Sequence, residues 1–293
     1  MKKGSDKIVK IIFGIIAVLI LVVCVYPIYF VFMASVSDPA LVGAGKVLLL
    51  PKGLTTSAFE FVFQEQKIWI GYRNTVLYTI GSVIFGMLVT MPAAYALSRK
   101  DLVGRGIFMK FLVFLMYFNG GLIPTYLIMN QIGLLNTPWV LIMMGSVTVH
   151  NIIVARTFFM GNIPDELREA AFLDGCGNVK FFLEVVLPLS KTIIAVTVLY
   201  IAVWQWNSYF NAMIYTTSPN LQPLQGVLRE LLIQGTAIDI SEELDSEMVK
   251  KMTEIAYQIK YAIIVVAIVP MLCFYPIIQK YFQKGVLVGS VKG

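Results

Sequence analysis

Residues Asn162 to Pro188 read NIPDELREAAFLDGCGNVKFFLEVVLP. The stretch is polar and charged yet lies between two long apolar runs, so it decides how the rest of the chain is read. Pro164 suits the first turn of a helix, with Asp165 and Glu166 beside the positive end of its dipole. Leu167, Ala170, Ala171 and Asp174 recur at spacings of three and four, near one helical face, and Gly175 supplies a stop. Asn178 is placed to cap a second short helix, with Phe181, Phe182, Val185 and Val186 as its apolar ridge and Pro188 as its end. The stretch is therefore predicted to be a bent pair of helices outside a membrane, with two alanines where a partner can approach closely. The competing reading is an ordinary amphipathic surface hairpin.

The 293 residues are 58% apolar and 14% charged, which excludes an ordinary soluble domain and indicates a membrane protein. The net charge of +6 does not point to nucleic acid, because the lysines and arginines flank apolar runs and form no basic surface helix. Cys24 and Cys273 lie in apolar runs and Cys176 in the polar hairpin, so no disulfide framework suggests itself. Lys2, Lys3, Lys7 and Lys10 precede an apolar run from Ile11 to Met33. That run is about twice the length of a signal-peptide core and no small-x-small cleavage site follows, so it reads as a retained span.

Because about 20 helical residues cross the hydrocarbon core, the apolar runs can be counted as spans. Six are expected, at 11–33, 72–97, 107–128, 138–159, 190–213 and 256–281, in one transmembrane domain over 1–293 with a polar loop at 162–188 and a tail at 282–293. With both termini on one side, the basic residues divide fifteen to eight in favour of that side. The termini and the hairpin are therefore expected in the cytoplasm. Two external segments are long. One, Asp38 to Gly71, carries Phe59, Phe61 and Phe63 and reads as holding a short interfacial helix. The other, Tyr215 to Gln258, is acidic and reads as a solvated loop or a docking surface.

No G-x-x-x-x-G-K-[ST] occurs, so the chain is not expected to bind ATP through a P-loop of its own. No Cys/His/carboxylate cluster has metal-ligand spacing, and no nucleophile, base and orienting acid come together. The lone histidine, His150, either lines a pathway or is a hydrogen-bonded packing residue. Trp204, Asn207 and Asn211 fall on one face of the fifth run, three and then four residues apart. They are cavity candidates for a solute with hydroxyls and apolar ring faces, or part of an interfacial aromatic belt. Asn119, in Asn119-Gly120-Gly121 before Pro124, either borders a cavity at a helix break or marks a glycine-mediated helix contact.

Glu169, Ala170, Ala171, Asp174, Gly175, Phe182, Leu187 and Pro188 match the spaced pattern EAA-x-x-DG-x(6)-F-x(4)-LP. This resembles the cytoplasmic coupling loop of ABC importer permeases, in particular the second permease subunit of maltose-type carbohydrate importers. Cys176 stands where alanine is usual, and Thr192 where a second proline is common. The runs Asn119–Thr137, Arg156–Phe159 and Gln279–Gly293 resemble the branch associated with complex oligosaccharides. The resemblance implies an all-α, six-span type I importer permease in a bacterial cell membrane, itself non-catalytic. It implies a homologous second permease, a nucleotide-binding ATPase dimer carrying ATP and Mg, an external solute-binding protein and a sugar substrate. It also implies that the Glu169–Pro188 hairpin couples to the ATPase, and that Gly289, Ser290, Val291 and Lys292 reach between the ATPase subunits.

Overall fold

The amino-terminal apolar run forms a single helix, α1 (Lys2–Ser35), which is long and apolar enough over Val9–Ser35 to cross a membrane. The computed structural model describes residues 2–237 and 259–273, with side chains described from 9 to 233 and from 259 to 273. After α1 come α2 (Pro39–Gly43), α3 (Ser57–Gln64), α4 (Gln66–Ser98), α5 (Arg105–Tyr117), α6 (Leu122–Gln131), α7 (Pro138–Met143) and α8 (Val149–Asn162). There follow α9 (Asp165–Leu173), α10 (Asn178–Phe181), α11 (Leu187–Leu189), α12 (Lys191–Trp206), α13 (Phe210–Tyr215), α14 (Leu224–Ala237) and α15 (Ile259–Cys273). The chain is all-α, with no strand among the described residues.

Continuity is where the structure departs from the expected spans. The runs 11–33 and 72–97 lie within the unbroken helices α1 and α4. The run 107–128 is instead two helices, α5 and α6, bent by 113°. Gly121, with φ +90, supplies backbone freedom at that break. The run 138–159 stops at Met143 and restarts at Val149, with Gly145 at φ +84 between. The run 190–213 breaks between Trp206 and Phe210. Of the run 256–281, residues 259–273 are helical and the remainder lies outside the described residues. Among the described residues, two helices are long and apolar enough to cross a membrane, or up to four if each bent pair counts as one span.

The packing divides into two compact units. Among the described residues, one lies within Met1–Ile68 and Leu228–Met271, the other within Trp69–Val227 and Leu272–Gly293. In the first, Asp38 caps α2 by accepting from the Ala40 and Leu41 amides at 2.9 and 3.3 Å. Phe30 of α1 meets Tyr261 of α15 edge-on at 5.8 Å beside a small core of Ala34, Val42 and Val47. The phenylalanine-rich stretch forms α3, where Phe59 and Phe63 stack at 6.4 Å.

The second unit is arranged around α4. Gly71, Thr75, Tyr78, Ser82 and Gly86 recur at four, three, four and four, so they form one stripe along it. The Leu224 amide donates to Thr75 Oγ1 at 2.8 Å, Tyr78 Oη donates to Leu221 O at 3.0 Å, and Ser82 Oγ donates to Ile142 O at 2.8 Å. Beside the stripe, Asn74 Nδ2 donates to Asn220 O and Gln222 O. These bonds satisfy backbone groups that the ends of α7 and the loop before α14 leave open. Asn136, held at φ +56, does the same elsewhere by accepting from the Thr217 and Ser218 amides.

Where the stripe lacks a side chain, backbone approaches closely. A Cβ at Gly86 would lie 2.5 Å from Ser146 O and 2.7 Å from Ile201 Cδ1. Gly86→Val is therefore expected to destabilise the chain by about 1–3 kcal/mol through overpacking, read as a lower thermal unfolding midpoint in detergent. Gly161→Ala, with nothing within 4 Å of its added carbon, should change stability by no more than about 0.5 kcal/mol.

Candidate functional site

Pro164 stands just outside α9 as its N-cap, in extended conformation, with Asp165 and Glu166 in the first turn. At the other end the Cys176 amide donates to Ala171 O at 2.9 Å and the Gly175 amide to Phe172 O at 3.0 Å. That pair of bonds is a Schellman ending, and it requires the left-handed backbone that Gly175 adopts at φ +78. The expected stop is thus where the sequence places it.

The second arm differs from expectation at both ends. Gly177, not Asn178, is the N-cap of α10, and no side chain caps it. Pro188 does not end the arm. A π-helical turn over Phe182–Val186, with the Leu187 amide donating to Phe182 O, precedes α11, which carries the chain through Pro188 to Leu189. Proline has no amide to donate and its ring crowds the carbonyl four residues back, so the widened turn relieves both problems at once. At Ser190 the arm then bends by 83° into α12.

The arm is anchored by apolar burial. Phe181 and Val186 are fully buried in a cluster with Ala94 and Tyr95 of α4, Ala155 and Phe159 of α8 and Ile193 of α12. Phe182 packs on Tyr95 at 5.2 Å, and Tyr95 meets Phe159 edge-on at 5.9 Å. Ala171 and Cys176 lean on the same cluster, so a small side chain at 176 suits its place. Residues expected to meet a partner therefore divide. Glu169, Ala170, Asp174, Gly175 and Pro188 are exposed, whereas Ala171 and Phe182 are half-buried against the chain's own core. The apolar groups turned outward are instead Leu167, Phe172, Leu173, Val179 and Leu183, with Leu173 at 90% exposure. Leu167 precedes the spaced pattern and the other four fill its unspecified positions, which is why the motif did not announce them.

The break between α7 and α8 lies against α12. A Cβ on Gly145 would overlap the indole Nε1 of Trp204, and His150 and Tyr200 face each other with ring centroids 6.4 Å apart. Tyr200 and Trp204 are one helical turn apart and both exposed, as is Asn207. Asn207 is the C-cap of α12 and donates from Nδ2 to Val203 O at 2.8 Å. Asn211 lies beyond the break, half-buried in α13, so the three residues expected on one continuous helix do not share one. Asn119 is exposed at the α5–α6 break, where its Oδ1 accepts from the Gly121 amide at 2.9 Å. Gly145 and Tyr200 join the candidate face on structural grounds, beside His150, which the sequence had already singled out. Gly289, Ser290, Val291 and Lys292 lie outside the described residues.

Asp165 has its carboxyl held below the ordinary carboxylate range, first by a hydrogen bond from Lys100, then by that lysine's charge, with Arg99 adding to both effects. A depressed carboxyl contributes stability above its unfolded value, about 4, and loses it as pH falls through the lower folded value. Amide exchange across Asp165–Arg168 should therefore be insensitive to these ties between pH 8 and 5 and quicken below about 4. Phe181→Ala is expected to cost about 3–5 kcal/mol, measured by thermal unfolding. Gly175→Ala, which meets nothing within 4 Å, should cost only the left-handed backbone term of about 1–2 kcal/mol, visible as faster exchange at the Gly175 and Cys176 amides.

With this geometry established, the chain can be set beside known proteins. It is 38% identical to the polygalacturonan/rhamnogalacturonan transport system permease protein YtcP of Bacillus subtilis (strain 168), over 92% of this chain and 93% of that one. It is 26% identical to the arabinooligosaccharides transport system permease protein AraQ of Halalkalibacterium halodurans, over the full length of both. Its fold matches a chain in the crystal structure of a bacterial ABC transporter involved in the import of the acidic polysaccharide alginate, with a TM-score of 0.85 and 31% identity, covering 96% of this chain and 99% of that one. Residues 68–288, which include the α4 stripe, the hairpin and the α7–α8 break, match the family described as binding-protein-dependent transport system inner membrane component. The chain belongs to that family of membrane transport permeases.

Proposed function

We propose that this chain is one of two permease subunits in an ATP-driven importer that brings oligosaccharide across a bacterial membrane. The observation that carries the reading is the division of the hairpin into an inward side fixed by Phe181 and Val186 and an outward side bearing Glu169, Ala170, Leu173 and Asp174. Such an arm can take a push from a partner and pass it to α4, α8 and α12, because its root is packed into all three. The partner is a nucleotide-binding ATPase dimer, which holds ATP and Mg; hydrolysis is not assigned to this chain. Excess basic residues on the hairpin side favour a cytoplasmic hairpin and cytoplasmic termini. The tail Gly289–Lys292 is assigned to the ATPase interface by family resemblance.

A homologous permease supplies the other half of the pathway, and an external solute-binding protein delivers the cargo. On this chain the solute would meet the α7–α8 break and α12, where Trp204 and Tyr200 offer ring faces and His150 and Asn207 polar edges. Asn119 and Asn211 are assigned to the same pathway. Sugars present this combination of hydroxyls and apolar ring faces, and the similar proteins carry names for the transport of polygalacturonan/rhamnogalacturonan, arabinooligosaccharides and alginate.

The test is the reconstituted complex with its ATPase, partner permease and binding protein, assayed for sugar-stimulated hydrolysis against neutral and uronate-bearing oligosaccharides. Glu169→Lys is expected to lower the stimulation at least about tenfold while the complex still assembles, a change of about 1.4 kcal/mol or more in coupling. Stimulation and uptake that ignore the reversal would show the hairpin to be an ordinary surface loop. Trp204→Ala should raise the sugar concentration for half-maximal uptake about tenfold with basal hydrolysis unchanged; an unaltered uptake curve would remove Trp204 from the pathway.

A further inference from the structure

The two arms of the hairpin are held by different physics. The second arm is fixed by burial, but α9 contains no buried residue at all. Only Ala171 of α9 leans on the core, which leaves rotation about the helix axis weakly determined by packing. What meets α9 instead is the turn after α4. Asp165 receives Lys100 Nζ at 3.0 Å on one carboxylate oxygen and Arg99 at 3.3 Å on the other. Asp101 likewise receives Arg99 Nε at 3.1 Å on one oxygen and Arg168 at 2.7 Å on the other. Arg168 also lies over the Phe172 ring, 5.0 Å from its centroid.

The charges therefore alternate in one continuous chain, Lys100, Asp165, Arg99, Asp101, Arg168, that crosses three times between the turn and α9. Single exposed ion pairs hold little, but both arginines here are largely covered, with side chains 16% and 21% exposed, and each carboxylate is gripped by two cations. Asp165 and Arg168 are three apart on α9, so both attachments fall on one face and fix the helix against roll. The last turn of α4, from which the turn Arg99–Asp101 leads off, is tied to α8, since Arg156 Nε donates to Leu97 O at 2.9 Å.

We infer that the turn Arg99–Asp101 is a positioning clamp for α9, transmitting displacement of the hairpin directly to α4 along a route separate from the Phe181 anchor. This rests on the hairpin being the ATPase contact proposed above. Arg99, Asp101, Asp165 and Arg168 act through α9 and touch neither nucleotide nor sugar. The route ends at the α4 stripe, where Ser82 and Gly86 meet the α7–α8 break.

The experiment uses the reconstituted complex and measures ATP hydrolysed per sugar imported, together with basal hydrolysis and the amount of ATPase retained on purification. The isosteric pair Asp101→Asn with Asp165→Asn is expected to raise ATP per sugar about fivefold or more with retention and basal hydrolysis unchanged. Asp101→Arg alone should do the same, and adding Arg168→Asp should recover most of the loss. As a readout independent of turnover, spin labels at Val103, which is 90% exposed, and at Glu166 of α9, also exposed, should give a narrow distance distribution in the assembled wild type that broadens in the Asn pair. An unchanged ratio and an unchanged distribution overturn the clamp. If those variants are silent while Glu169→Lys abolishes stimulation, the clamp fails and the coupling role stands. If Glu169→Lys is silent as well, both fall.

Discussion

A backbone carbonyl or amide surrounded by hydrocarbon has no water to turn to, and that constraint governs the unit around α4. Three apolar runs among the described residues are broken, and each break frees groups that an unbroken helix would have paired internally. α4 answers with a stripe of short polar side chains and glycines: Thr75, Tyr78 and Ser82 take up loose groups from neighbouring segments, and Gly71 and Gly86 let those segments come close enough to be reached. Breaks can persist next to α4 because it is itself continuous. Irregularity elsewhere and regularity here are one arrangement, and the exposed Tyr200–Trp204 face lies beside a break that this arrangement supports.

The hairpin solves a different problem, that of projecting a helix outside the apolar layer without letting it flop. The second arm is rooted like a core helix, with Phe181 and Val186 fully buried. The first arm has almost no apolar purchase and is attached by charge. Apolar packing is insensitive to direction but resists separation, while paired carboxylates and guanidinium groups fix orientation. Divided between the arms, these properties give an outward surface that is held in position yet free of bulky groups at Glu169 and Ala170.

How much of this could be read beforehand follows from what each signal measures. Gly175 was legible because a left-handed stop leaves few residue types to choose from, and the unbroken spans at 11–33 and 72–97 were legible because apolar content and continuity coincide there. At 107–128, 138–159 and 190–213 they do not coincide. Hydropathy registers composition, and Gly145, Gly121 and Asn207 alter the backbone while barely altering the average. The shared face assumed for Trp204, Asn207 and Asn211 failed for that reason, since a break at Asn207 voids the helical spacing. The phenylalanines of the hairpin were seen as apolar but assigned to a partner, because a pattern of apolar positions does not say which of two surfaces they cover. The Asp101–Arg168 tie, between residues far apart in sequence, left no local trace.

The π-helical turn before Pro188 gives the spaced motif a geometric meaning. In an α-helix, residues five apart point about 140° away from each other, so Phe181 and Val186 could not both be buried on one side. The wider turn brings them round to the same face, and both are fully buried. Five-residue spacing of buried side chains is thus the written form of this turn, in the way that three-and-four spacing is of an ordinary helix. Loss of one residue between Phe181 and Pro188 would do little to the length of the arm. It would rotate everything on the hairpin side by about 100°, aiming Glu169 and Asp174 away from whatever they meet. The number of residues between Phe181 and Pro188 is therefore a tighter constraint on the hairpin than their identity.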